Sequence, residues 1–281
     1  MNEVSEATLV AYTTTATETA DWLEGQGIVY FSAVTPARVK ELRAHWATTT
    51  AGVTVNKKLK HLRMAFGQAV KEKLLAANPA EEVPPVNEKA TVRREFRPAD
   101  IELLLPTLSG EWRALFLLGL YTGQRLNDLT SLRWKQIDLL GKTIILQTRK
   151  TDALVSLPLM QSAVDALAEL ASSDDPEVRV FPRVWKLKEE SRSNAFRMLL
   201  FKVGLATNPN LKKKVAGGPR TTSALSFHSL RHTATSMLKA AGVSDSIARA
   251  IIGHESAAVS RTYTHLDMAT MRAAMEKMPV H

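Results

Sequence analysis

The residues of this sequence that could do chemistry are arginines, histidines, a lysine and a tyrosine, all from residue 125 onward. His228 and Arg231 lie three residues apart near the start of an expected helix, so they share one face. A helix N-terminus favours an anion, and a guanidinium offers a planar fork of donors that matches phosphate oxygens. The pair therefore suits phosphate binding, although two polar residues on a helix surface are the more ordinary explanation of it when it is taken alone.

A second arginine and a lysine lie upstream. Arg125 comes two residues after Gly123 at the start of another expected helix, and Asp128 lies three residues further on, where it could pair with the guanidinium or fix its orientation. Such a pair is also common on protein surfaces. Lys150 lies in a short polar turn between two expected strands, where it could reach into a groove or simply be solvated.

The C-terminal part of the sequence contains a histidine and a tyrosine at a fixed interval. His254 follows Gly253, and Tyr263 comes nine residues later in the polar stretch "SRTYTH". A tyrosine in such surroundings could be a surface aromatic, a core residue or a nucleophile. His228 and His232 have the spacing of metal ligands, but no carboxylate accompanies them and Arg231 between them would repel a cation. We therefore expect no metal and no cofactor.

Composition narrows the class of partner. The chain has 281 residues, with 37 Lys and Arg against 28 Asp and Glu, a net charge of +9. This excess favours nucleic acid as partner, with an anionic membrane surface second. There is no cysteine, which excludes disulfides, thiolate metal sites and a cysteine nucleophile. No signal peptide and no apolar run long enough for a membrane span is found, so a cytoplasmic protein without membrane association is expected.

The elements that must position these residues are mostly helical. Helices are predicted over 35–46, with Thr35 as N-cap, and over 54–79. The second has an apolar stripe at helical spacing: Val55, Leu59, Leu62, Phe66, Val70 and Leu74. Its other face is basic and predicts phosphate contacts, with a solvated helix face as the alternative: Lys57, Lys58, Lys60 and Arg63.

A polar, proline-rich stretch over 78–96 predicts a linker, because its prolines cannot continue a helix. Helices are predicted again over 97–108 and 111–123, and a hairpin of two strands over Thr143–Gln147 and Ala153–Leu157. The stretch 225–242 predicts a helix from its possible N-cap Ser226 to Gly242 at its end. A lysine- and glycine-rich loop precedes that helix and adds three predicted DNA contacts: Lys212, Lys213 and Lys214.

Taken together, the motifs resemble those of the tyrosine recombinases, the phage-integrase superfamily of DNA breaking and rejoining enzymes. The matching stretches are "TGQRLNDLTSLRW", "TRKTDALVSLPL", "FHSLRHTAT" and "IIGHESAAVSRTYTH". The resemblance covers about residues 95–270 closely and the N-terminal part only in type. It implies a mainly α fold with a small antiparallel β-sheet, arranged as a two-domain C-shaped clamp. The expected division is a helical core-binding domain over 1–85, a linker over 86–96 and a catalytic domain over 97–281.

The resemblance implies a catalytic set of two arginines, a lysine, two histidines and a tyrosine: Arg125, Lys150, His228, Arg231, His254 and Tyr263. By carry-over, Tyr263 attacks the scissile phosphodiester and forms a 3′-phosphotyrosine. The arginines neutralise the non-bridging oxygens, and Lys150 protonates the 5′ leaving oxygen. His228 assists proton transfer from the tyrosine, and His254 hydrogen-bonds a non-bridging oxygen. Asp128 supports Arg125 from behind.

The function implied is site-specific recombination or integration of DNA for a mobile element, without metal or ATP. The partners implied are double-stranded DNA with specific recombination sites, a homo-tetramer on two sites, and an accessory DNA-bending protein. The alternatives are a non-catalytic DNA-binding relative and an enzyme like a type IB topoisomerase. The apolar spacing of the tail over 265–281 fits packing either on the neighbouring protomer or on its own domain.

Overall fold

The computed structural model describes residues 4–87, 94–147, 154–170, 175–208, 224–253 and 268–281. These residues form two compact units, one up to residue 87 and the other from residue 94 onward. The fold is mainly helical with a small antiparallel sheet, as the sequence predicts. No helix among the described residues combines the length and apolarity needed to cross a membrane.

The first unit is built on three helices: α1 (Glu6–Gly25), α2 (Pro36–Thr49) and α3 (Gly52–Lys71). A 3₁₀ turn over Phe31–Ala33 lies between the first two. The Thr35 hydroxyl accepts a hydrogen bond from the Arg38 N–H, which confirms Thr35 as the N-cap of α2. The core joins α2 and α3 through a set of large side chains, all of them buried: Val39, Leu42, Trp46, Val55, Leu59, Leu62 and Phe66.

Helix α3 is shorter than predicted. It ends at Lys71, Lys73 adopts a left-handed conformation with φ of 62°, and the Leu74 N–H turns back to the Ala69 carbonyl. The prediction of a helix over 54–79 is therefore wrong beyond Lys71, and Leu74 is 67% exposed rather than part of the stripe. The following chain packs back onto the helix, because Ala80 and Val83 are fully buried in the same core.

The second unit is organised around α5 (Gly110–Thr122), whose residues from Ala114 to Thr122 are all buried. The helices before and after it are α4 (Pro98–Leu104), α6 (Leu126–Thr130), α7 (Gln161–Ala168), α8 (Pro182–Trp185) and α9 (Glu189–Lys202). They are followed by α10 (Phe227–Ala240), α11 (Asp245–Ile252) and α12 (Met268–Met275), and 3₁₀ turns cover Leu105–Thr107 and Trp134–Gln136. Helix α5 packs against α7 and α10, so its apolar sequence reflects a position at the centre of the core.

The sheet has three antiparallel strands in the order β1 (Ile137–Asp138), β2 (Thr143–Gln147) and β3 (Leu154–Pro158). The predicted hairpin is confirmed with strand pairs such as Ile144 opposite Leu157, whereas the two-residue β1 was not predicted. Ile144, Leu146 and Leu157 face the core. Helix α12 packs on β3 of its own chain and buries Met271 and Met275, so the described part of the tail lies on its own domain.

Candidate active site

The turn that follows α5 sets the position of Arg125. Gly123 ends the helix with φ of 64°, and a Cβ there would lie 2.4 Å from the Cδ1 atom of Ile252. Only glycine satisfies both the left-handed backbone and the close approach of α11. Arg125 then becomes the N-cap residue of α6.

Asp128 lies behind Arg125 in the first turn of α6. The Asp128 Oδ2 and Arg125 Nη1 atoms are 3.7 Å apart, and their side chains are 3% and 34% exposed. A carboxylate this deeply buried beside a half-exposed guanidinium can orient it toward solvent while the guanidinium still reaches a ligand. The ion pair that the sequence suggests is present, and the supporting function of Asp128 stays a prediction.

Arg231 is buried, with 4% of its surface exposed. It lies one turn into α10, whose start at Ser226 agrees with the sequence prediction. Its Nη1 donates to the Gly123 carbonyl at 2.9 Å and its Nη2 to the Gly253 carbonyl at 3.0 Å. Both carbonyls belong to glycines that end a helix, so Arg231 connects the C-terminal ends of α5 and α11.

Burial and, to a smaller extent, the nearby Arg125 guanidinium lower the pKa of Arg231 to about 10, although Asp128 acts in the opposite direction. Even this value leaves the guanidinium protonated at neutral pH. Arg125 and Asp128 both act on Arg231, so the three residues form one electrostatic cluster with an excess of positive charge.

His228 lies one turn before Arg231 on α10 and is exposed. Its ring meets the ring of His232 edge-on, with centroids 5.2 Å apart. Among the described residues, no group of three or more His, Cys, Asp and Glu side chains is arranged to hold a metal ion. The two histidines therefore form a ring pair at the helix surface rather than part of a larger ligand set in the described chain.

Gln124 is a residue of this site that the sequence analysis did not single out. It is 2% exposed, and its Nε2 donates to the Thr122 carbonyl at 3.1 Å and to the Ile251 carbonyl at 2.9 Å. The only feature of the sequence that could have drawn attention to Gln124 is its position beside Arg125. Its hydrogen-bond partner on α11, Ile251, is 127 residues away, so no local pattern connects the two.

The basic residues predicted to contact DNA on α3 fall into two groups. Lys57 and Lys60 are exposed. Lys58 instead forms an ion pair with Glu18 and lies 5.1 Å from the centre of the Trp46 ring, and Arg63 donates to the carbonyls of the returning segment at Ala80 and Val83. The structure thus gives two of the four cations an intramolecular partner.

The other residues predicted for the site lie outside the described part of the chain: Lys150, His254, Tyr263, Lys212, Lys213 and Lys214. What the described residues bring together is a pair of arginines, one buried and one half-exposed, with a buried carboxylate and an exposed histidine one turn away. Such an arrangement can hold an anionic phosphoryl group and stabilise the charge that develops on its oxygens.

Comparison with protein families matches both units. Residues 95–270 match the Phage integrase family, and residues 1–89 match the Phage integrase SAM-like domain. The matched ranges contain the arginine pair and the helix α3, respectively.

Two individual proteins and one solved structure illustrate the similarity, at identities to this chain between 18% and 26%. The tyrosine recombinase XerC of Halalkalibacterium halodurans is 26% identical over 95% of this chain and 89% of its own length. The integrase of a Salmonella phage is 26% identical over 69% of this chain, which spans 49% of that relative. A crystal structure of a lambda integrase tetramer bound to a Holliday junction shares 18% identity, with a TM-score of 0.64, over 90% of this chain and 73% of the other. The structural likeness supports the fold.

Proposed function

The chain belongs to the phage integrase family of site-specific tyrosine recombinases, and on this premise we propose that it cleaves and rejoins DNA through Tyr263 and the arginine pair Arg125 and Arg231. The observation that carries the proposal is the convergence of the two guanidinium groups with the buried Asp128. In the proposed reaction the Tyr263 oxygen bonds to the phosphorus. The bond to the 5′ oxygen breaks, and that oxygen leaves with a proton.

The charge distribution of the cluster supports a phosphate as its ligand. Arg125 lowers the pKa of Arg231, so the two cations repel each other in the free protein. A phosphodiester between them relieves this repulsion. The transition state of phosphoryl transfer spreads negative charge over the equatorial oxygens, and fixed donors aimed there stabilise it without reorganisation.

The remaining functions are assigned by the family motifs. Lys150 protonates the 5′ leaving oxygen, His228 assists proton transfer from Tyr263, and His254 binds a non-bridging oxygen. The exposed position of His228 near the start of α10 supports this assignment, since a proton carrier must be reachable by the substrate.

We further propose double-stranded DNA with a specific site as substrate and a tetramer on two sites as the working assembly. The tetramer of the similar lambda integrase on a Holliday junction supports this proposal. The division into a core-binding domain over 1–85, a linker and a catalytic domain from 97 belongs to the same proposal. A mobile element as its genetic context, an accessory DNA-bending protein and a cytoplasmic location stay predictions.

The decisive experiment traps the covalent intermediate. A nicked duplex carrying a site selected from a random pool by the protein's own binding is incubated with the protein and resolved on a denaturing gel. Wild type gives a covalent protein–DNA band in EDTA. Tyr263→Phe binds the duplex and gives no band, because phenylalanine has no oxygen to attack with.

Tyr30→Phe is the matched control, since Tyr30 is 76% exposed and lies in the other unit. It gives the wild-type band. A band with Tyr263→Phe would show that another residue is the nucleophile. Relaxation of a supercoiled plasmid without this site by a monomer would favour the topoisomerase-like alternative.

A further inference from the structure

The ends of α5 and α11 are joined by four hydrogen bonds from two side chains. Arg231 donates to one carbonyl on each helix end, at Gly123 and Gly253. Gln124 does the same with its Nε2 atom, at Thr122 and Ile251. We call the two side chains and their four carbonyls the carbonyl clamp.

The carbonyls of the clamp are ones that a helix leaves without a partner, because the last four carbonyls of an α-helix have no intrahelical donor. The bonds to Gly123, Thr122 and Ile251 are buried, the bond to Gly253 is partly buried, and both donors are nearly fully buried. An unpaired polar group in such a place is costly, so the clamp satisfies both helix ends at once. Gly253 lies next to the Gln124 side chain, since a Cβ on this glycine would be in ordinary van der Waals contact with the amide nitrogen and oxygen of Gln124, 3.9 Å from each.

Arg231 alone would not fix the orientation of the two helix ends relative to each other. Arg231 makes one bond to each helix end, so the two ends could still rotate about its guanidinium. Gln124 adds a second bond at a different carbonyl of each helix, and two points of attachment remove that rotation. Glutamine suits the position chemically, because a second cation would add repulsion beside Arg125 and a carboxylate would face two carbonyl oxygens.

We infer that Gln124 is a positioning residue for the cleavage reaction. The two glycines of the clamp lie just before the residues proposed to bind phosphate oxygens in the sequence, since Arg125 comes two residues after Gly123 and His254 one residue after Gly253. By fixing the end of α11 against the turn after α5, Gln124 holds the residue that precedes His254 in the sequence, Gly253, against the turn that carries Arg125. The inference rests on the function proposed above for the site.

The test replaces Gln124 with methionine, which keeps the length of the side chain and removes its donors. Adduct formation on the nicked duplex falls roughly 10- to 100-fold, because a misplacement of about 1 Å costs this much in a pre-organised site. Binding of the same duplex stays within about threefold of wild type, since no proposed DNA contact is removed.

Thr233→Val controls for lost stability. Thr233 is also buried on α10, and its hydroxyl accepts a hydrogen bond from the Phe96 N–H at 2.9 Å, away from the clamp. This variant lowers the midpoint of urea unfolding and keeps the wild-type rate of adduct formation. Equal slowing in both variants at equal loss of stability would overturn the inference, because the effect would then be structural.

Two further readouts separate positioning from binding. The double variant Gln124→Met/His254→Ala reacts within about threefold of His254→Ala alone, because Gln124 acts through the end of α11, which leads into His254 in the sequence. Fully multiplicative slowing would contradict the inference.

Amide hydrogen exchange of the free protein at 249–253 becomes faster in Gln124→Met and not in Thr233→Val. If wild type forms no adduct, the proposed function fails, and unchanged exchange would separately show that Gln124 does not hold α11.

Discussion

At the scale of single residues, Arg231 combines a structural and an electrostatic function. Its buried guanidinium is held by two carbonyls at helix C-termini, where the helix dipole favours a cation. Burial and Arg125 lower its pKa to about 10, and Asp128 opposes them. The Asp128 carboxylate thus favours the charged form of the buried Arg231, in addition to pairing with Arg125.

This function of Asp128 predicts a pH effect. Asp128→Asn removes the influence that raises the pKa of Arg231, so the pKa falls further and the guanidinium loses its proton at lower pH. Because cleavage needs the charged form, the alkaline limb of the cleavage rate moves to lower pH. The rate at neutral pH falls about tenfold for a different reason, since Arg125 loses the carboxylate that orients it. The measurement is adduct formation on the nicked duplex from neutral to alkaline pH.

The control for this experiment is Asp165→Asn, an exposed aspartate of α7 that accepts from Gln161. Its profile matches wild type. An alkaline limb that stays in place in Asp128→Asn would show that Asp128 does not act on Arg231.

The residues of the site differ in how far the sequence predicts them. Arg125, Asp128 and Arg231 lie in short motifs, so residue type and spacing were enough to select them. Gln124 was missed, because its meaning depends on a carbonyl of α11 that only the folded chain brings near. Lys58 and Arg63 were grouped with Lys57 and Lys60 by helical spacing, which does not reveal that Glu18 and the returning segment offer partners.

At the scale of elements, the position of the site depends on how closely α5 and α10 pack. A Cβ on Gly119 would lie 2.8 Å from Phe227 Cζ and 2.9 Å from Leu230 Cδ1. Both side chains are buried, so neither can move aside easily. The glycine therefore sets the distance between the helix that leads to Arg125 and the helix that carries Arg231.

Gly119→Ala is expected to destabilise the second unit by about 1–3 kcal/mol, because it overpacks this contact. Gly67→Ala is the matched control in α3, where a Cβ would meet only the Asn78 amide at 3.6 Å. There alanine raises stability by up to about 1 kcal/mol through its better helix propensity. Urea unfolding of the two variants measures both effects, and equal stability of Gly119→Ala and wild type would contradict the close contact.

The elements themselves were largely predictable, with errors where local signals compete. The cap at Thr35 marks the start of α2 correctly, and glycines mark the ends of α5 and α10, whereas α2 continues to Thr49 rather than ending at residue 46 as predicted. The end of α3 carries no such signal, because Lys73 takes a left-handed conformation that sequence favours only for glycine or asparagine. Strand β1 has two residues, too few for an alternating pattern to stand out.

At the scale of the whole molecule, the net charge of +9 favours DNA binding, and the basic residues of α3 differ in whether another residue of the chain already partners them. Lys57 and Lys60 are exposed on α3, and their field helps to lower the pKa of His61, for which burial is the largest cause. Lys58 lies on the same helix, yet its charge is compensated by Glu18 and shielded by Trp46.

Salt dependence of DNA binding separates these cations. A Lys–phosphate contact releases counterions, so each one contributes about 0.9 to the slope of log K against log salt. Lys57→Gln and Lys60→Gln are each expected to reduce the magnitude of the slope by about one and to weaken binding several-fold near 0.1 M salt. Lys58→Gln is expected to leave the slope unchanged and to lower the stability of the first unit, because its ion pair and ring contact are lost. Titrations of a fluorescent duplex at several salt concentrations measure the slopes. A reduced slope for Lys58→Gln would contradict this expectation. It would mean that Lys58 leaves Glu18 in the complex and contacts a phosphate of the DNA.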